Sequence, residues 1–102
     1  MNPQKVNRAC VSKLTDLPNI GKAIAGDLLR IGIDRPEKLK GKSAYAMYNE
    51  LCRVTGKKHD PCMIDVFLSI TDFMNGGEPK EWWKYTAQRK QQTALLIGAQ
   101  QF

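Results

Sequence analysis

Leu17-Pro18-Asn19-Ile20-Gly21-Lys22 reads as a tight turn between two helices, and the apolar run behind it closes at Ile31-Gly32-Ile33. Pro18 fixes its own φ and ends the preceding helix. Asn19 is among the few non-glycine residues that accept a left-handed turn position. Gly21 lets the backbone approach a ligand without a Cβ in the way. From Lys22 onward, Ile24, Leu28 and Ile31 recur at helical spacing, and Ala23, Ala25 and Gly26 are small enough for close helix contact. Gly32 stands where a helix C-terminus favours glycine. The first amides of a helix lack an internal partner and the helix dipole attracts negative charge, so this turn suits a phosphate oxygen. Packing two helices together is the plainer use of the same turn.

Working outward, the chain reads as all-helical, with no sustained period-two alternation. A first helix is expected from around Asn7 to Cys10 up to Leu17, and a second from Lys22 to Ile31. Asp34 caps a short third, with Pro36 in its first turn and Glu37 three residues on. Ser43 caps a fourth, in which Ala44, Met47, Tyr48, Leu51 and Val54 share one face before Gly56 stops it. Asp60-Pro61 starts a fifth, lined by Met63, Val66, Phe67, Ile70, Phe73 and Met74 until Gly76-Gly77. A last segment, Pro79 to Ile97, is expected to be helical in part, with a frayed polar end. The expected architecture is a tandem helix-turn-helix arrangement of five helices, about residues 9–75, with residues 76–102 as a C-terminal extension. At 102 residues this is a single domain.

The formal net charge is +6, which favours a polyanionic partner. Residues 35–58 hold seven basic side chains (Arg35, Lys38, Lys40, Lys42, Arg53, Lys57, Lys58), whereas 59–79 hold Asp60, Asp65, Asp72 and Glu78 with no Lys or Arg. A basic face and an acidic face would orient the molecule, although charge runs are commonly just solvated surface. In the second turn, Thr55-Gly56-Lys57-Lys58-His59-Asp60, Lys57 and Lys58 stand where the first turn offers backbone amides. The three cysteines form no disulfide framework and no signal peptide is visible. No apolar run has membrane-spanning length, so the expected setting is cytoplasmic with reduced thiols and no membrane contact.

Leu17 to Ile33 resembles the helix-hairpin-helix motif, with Asn19 where that motif has its first glycine. Leu17-Pro18-Asn19-Ile20-Gly21, Gly32-Ile33, Leu39, Gly41, Ala44, Tyr48 and Leu51 look like the C-terminal domain of bacterial competence-regulator proteins, where Leu-Pro-Asn-Ile-Gly is the common form. A closer resemblance, over residues 10 to 86, is to the small bacterial pathogenicity-locus family, sometimes labelled mitomycin-resistance proteins. Asp60-Pro61-Cys62, Asp65-Val66-Phe67 and Trp82-Trp83 carry it. The resemblance implies a helix-hairpin-helix fold and a bacterial source.

The expected activity is DNA backbone binding without sequence preference, through Asn19, Ile20, Gly21 and Lys22 and through Lys57 and Lys58. A protein-interaction adaptor is the alternative, and a monomer or weak dimer the expected assembly. One histidine and the lack of a glycine-rich nucleotide loop point to no enzyme and no cofactor. Cys52, His59 and Cys62 lack a zinc-site spacing, so no metal is expected. Cys62, in the first turn of a helix, is a candidate reactive thiol or simply a core-facing cysteine. Asp65 and Asp72 lie seven apart and read as a solvent stripe. Trp82, Trp83 and Tyr85, interleaved with Lys80, Lys84 and Arg89, could stack on exposed bases of a single strand. The plainer expectation is that one tryptophan packs inward and the other is partly exposed, since neighbours on a helix point about 100° apart.

Overall fold

The computed structural model describes residues 6–92, and every regular element among them is helical. Three are α-helices: α1 (Lys22–Arg30), α2 (Ala44–Thr55) and α3 (Cys62–Met74). Single 3-10 turns occupy Arg8–Cys10, Leu14–Asp16, Pro36–Leu39 and Trp82–Tyr85, and residues 86–92 are helical again. The expected continuation to Ile97 and the frayed end lie outside the described residues.

α3 is the axis of the fold. It buries Ile64, Val66, Phe67, Ile70 and Phe73 and packs against α2 and the turns Pro36–Leu39 and Trp82–Tyr85. α2 brings Ala44, Met47, Tyr48 and Leu51 to the same interior, and α1 adds Leu28 across α2. Leu14, Leu17, Ile20, Ile33 and Leu39 complete one contiguous apolar cluster. Removing such side chains from water supplies the main drive for folding.

The helix ends follow their local chemistry. Ser43 Oγ accepts the Ala46 amide at 3.3 Å and starts α2. Gly56 ends it in the left-handed region, φ 67. Asp60 Oδ1 accepts the Cys62 amide at 2.8 Å and starts α3. At the far end of α3, the Arg8 guanidinium donates to the carbonyls of Phe73 and of Gly77 (2.6 Å to the latter) and lies 4.1 Å over the Phe73 ring. A cation there meets the negative end of the helix dipole.

Four expectations are corrected. Residues 7–17 make two 3-10 turns in place of one helix. Asp16 Oδ2 accepts the amides of Ser12 (3.0 Å) and Lys13 (3.1 Å), and such local bonds compete with a helix for those donors. The third element is a 3-10 turn, and Asp34 does not cap it; its carboxylate pairs with Lys38 at 3.0 Å. Val54 is 41% exposed and leaves the apolar face of α2. A Cβ at Gly26 would meet only Arg30 Nη1, at 3.7 Å, so its small size serves no helix contact.

The acidic stripe holds for Asp72, which is exposed, and fails for Asp65. Asp65 is 0% exposed, accepting from Arg89 Nε (2.9 Å) and Thr86 Oγ1 (2.7 Å). Asp72 accepts the Tyr85 hydroxyl at 2.6 Å. Residues 82–92 are thereby fastened to α3 through polar groups. The Tyr85 phenol is pushed up from its ordinary value by burial and by the bonded Asp72 carboxylate.

Candidate nucleic-acid interface

The turn before α1 is built from the inside. Leu17, Pro18 and Ile20 are fully buried and hold it against the core. Asn19 lies between them with φ 68, the left-handed position its residue type permits. Its side-chain amide donates to Ser69 Oγ on α3 (3.0 Å) and to the Lys80 carbonyl (2.8 Å). Asn19 therefore faces inward as a tether and does not offer its side chain to a ligand. The Ile20 amide donates to the Leu17 carbonyl at 3.4 Å, so of the four expected contacts in this turn Asn19 and Ile20 are engaged within the fold.

Gly21 is the N-cap of α1 in extended backbone, φ −98 and ψ −173, a conformation open to any residue. A Cβ built there would meet nothing within 4 Å. Neither the fold's backbone angles nor its packing requires this glycine. Gly77 is the opposite case, since its Cβ would fall 2.5 Å from Asp72 Oδ2. No side chain caps α1 at its start, whereas Ser43 and Asp60 serve α2 and α3. Lys22 and Ala23 are exposed beside it. The result is an open, positively polarised helix end with a lysine at its rim.

The second turn is arranged differently. Lys57 and Lys58 are exposed. Lys57 lines a groove of about 570 Å³ with Asp27, Arg30, Val54, Thr55 and His59. That groove runs along the C-terminal half of α1, and Lys22 and Arg30 are about 12 Å apart along the helix axis. The two sets of expected contacts thus lie towards opposite ends of α1. The start of α3 is already occupied by the Asp60 carboxylate, held below its ordinary range chiefly by the Cys62 amide bond. Only lysine side chains are left there to meet an anion. Tyr48 donates to the His59 carbonyl, and Thr55 Oγ1 lies 2.8 Å from His59 Nε2, which fixes the loop.

Cys62 is half-buried, and its thiol is pushed above the usual range, first by its hydrogen bond to Asp60 and then by burial. That direction is the reverse of an activated thiolate. Among the described residues no group of three His, Cys, Asp or Glu side chains could hold a metal ion, and no helix is long and apolar enough to cross a membrane.

Two basic residues beside the tryptophans, Lys80 and Arg89, have partners that the sequence does not indicate. Lys80 is brought beside the first turn by the Asn19 tether across 61 positions of sequence. Arg89 reaches Asp65 across 24. Neither separation leaves a periodic signal. The tryptophans behave as expected: Trp82 packs against the core and Trp83 is 56% exposed, their rings edge-to-face at 5.7 Å.

With this geometry in place, comparison with known proteins gives a match at family level. The family model described as "Pathogenicity locus" matches residues 7–91. Mitomycin resistance protein McrB of Streptomyces lavendulae is 34% identical over 87 residues, 85% of this chain and 80% of that protein. No solved structure matches.

Proposed function

The chain belongs to the pathogenicity locus family, and from that premise we propose that it is a helix-hairpin-helix module binding the sugar-phosphate backbone of DNA without reading base sequence. One observation carries the reading. Gly21 is a glycine that neither backbone nor packing demands, placed at an uncapped helix start beside an exposed lysine. An approaching phosphate oxygen gives that glycine a purpose, because a side chain there would hold the anion away from the amides. Lys57 and Lys58 add charge towards the other end of α1. The net charge of +6 supplies the long-range attraction.

In this reading the chain is a single non-enzymatic domain acting in the cytoplasm, as a monomer or weak dimer and without a cofactor. The proposed setting is DNA repair, stress or resistance, and the relative's name, a mitomycin resistance protein, supports the last of these. The reading is tested by titrating the protein into labelled duplexes of unrelated sequence at several salt concentrations. Equal affinities are expected, with a slope of log affinity on log salt of about −0.9 for each phosphate neutralised.

A second reading, a protein-interaction adaptor, is favoured by a different feature. An open groove of about 620 Å³ is lined by Ile31, Ile33 and Met47 and rimmed by Lys38, Lys42 and Glu50. Apolar docking there would persist at high salt, whereas phosphate binding would fade.

A further inference from the structure

We propose that Trp83 is a stacking platform for an unpaired base of single-stranded DNA, at the end of the same track that begins at Gly21; this rests on the backbone-binding reading above. The indole is 56% exposed, the largest side chain so placed among the described residues. It is also firmly mounted. Trp82, the next residue in the same 3-10 turn, packs on the core, and Tyr85 closes that turn with its hydroxyl on Asp72. An edge-to-face neighbour at an interplanar angle of 83° covers at most one face of Trp83. A rigid, half-open aromatic face binds a base with little ordering cost, and any base has a π-face to offer.

Its position relative to the first turn is fixed by the Asn19 bond to the Lys80 carbonyl. Trp83 is three residues further on, so its Cα lies within about 10 Å of that of Lys80. Lys80 and Lys84 are both exposed on either side of Trp83; Lys84 pairs with Glu81 at 3.7 Å and Lys80 lies 5.8 Å over the Tyr85 ring, so the phosphate contact falls to Lys80. In the proposal, a strand with one phosphate at Gly21 carries a base on to the indole. In a duplex those bases are already stacked and paired, so Trp83 selects the single strand.

The experiment uses the full chain, a fluorescently labelled oligothymidine and a labelled duplex of equal length, with wild type, Trp83→Ala, Trp83→Phe and Gly21→Glu. The expected result has three parts. Intrinsic tryptophan emission is quenched by the single strand and not by the duplex. Trp83→Ala weakens single-strand binding about tenfold while duplex binding stays unchanged. Trp83→Phe restores most of the loss. Equal single-strand affinity in wild type and Trp83→Ala overturns the platform, while loss of both substrates in Gly21→Glu still upholds the backbone reading. Intact duplex binding in Gly21→Glu overturns the backbone reading instead. A loss of both substrates in Trp83→Ala assigns the residue a structural role and also overturns the platform.

Discussion

The turns at residues 17–21 and 56–61 both deliver the chain into a helix, but they treat its exposed amides in opposite ways. Ahead of α1 the polar side chain, Asn19, is turned back into the protein and the helix start is left open at Gly21. Ahead of α3 the polar side chain, Asp60, is spent on the helix itself and places a carboxylate where an anion would have to come. The first turn can therefore act through backbone dipoles and the second only through Lys57 and Lys58. A helix end serves either its own fold or an outside anion, and a single carboxylate decides which.

Breaking the comparison at its strongest point gives the largest effect. Gly21→Glu places a carboxylate at the open end and makes the first turn resemble the second. DNA affinity should fall tenfold or more, measured by fluorescence anisotropy, with an unchanged circular dichroism spectrum because the new Cβ enters open space. Unaltered affinity in that folded variant would remove the first turn from the interface.

The next effect is on stability. Asn19→Ala loses both tethers and forces alanine into the left-handed region, at a cost of about 1–3 kcal/mol seen in urea unfolding. Asn19→Gly keeps the backbone and should cost less. If glycine costs as much as alanine, the tethers matter more than the conformation.

A smaller effect is expected at the second turn. Replacing Lys57 and Lys58 together by alanine should reduce the salt slope by about 1–2 units while fold and sequence indifference persist. A slope that does not move would confine DNA to the first turn.

The smallest effect concerns Cys62. Its thiol is held above the usual range chiefly by Asp60, so it carries less thiolate near neutral pH than an ordinary cysteine. Asp60→Asn removes the charge and keeps a side-chain carbonyl for the Cys62 amide. The thiol should then titrate at lower pH and alkylate faster, as followed by mass spectrometry. Equal rates in the two proteins would show that Asp60 does not control it.

What was legible in the sequence was local. Ser43, Gly56 and Asp60-Pro61 act within a few residues of their own positions, and α2 and α3 start and stop where those residues place them. The all-helical class and the turn at Gly21 follow from the same short-range chemistry. What was not legible came from afar. Arg8 closes the end of α3 across 65 residues, Asn19 reaches 50 and 61 residues, and Asp65 is matched by a residue 24 positions on. Spacing made Asp65 look like solvent surface, because one face of a helix is read as polar until a partner from elsewhere is folded onto it. The failed first helix is a local miss with a local cause, the competition of Asp16 for the amides of Ser12 and Lys13.

The Asp65–Arg89 pair gives the chain a built-in test of its own completeness. A product terminated between Thr86 and Arg89 keeps the whole apolar cluster and the Thr86 bond to Asp65 but loses the guanidinium that pairs with that carboxylate. Breaking a buried pair from one side costs about 3–5 kcal/mol, a large share of what a domain of this size has to spare. Prematurely terminated chains would open easily and be cleared by proteases. A stop codon a few triplets before Arg89 should therefore lower stability even though the apolar core is complete.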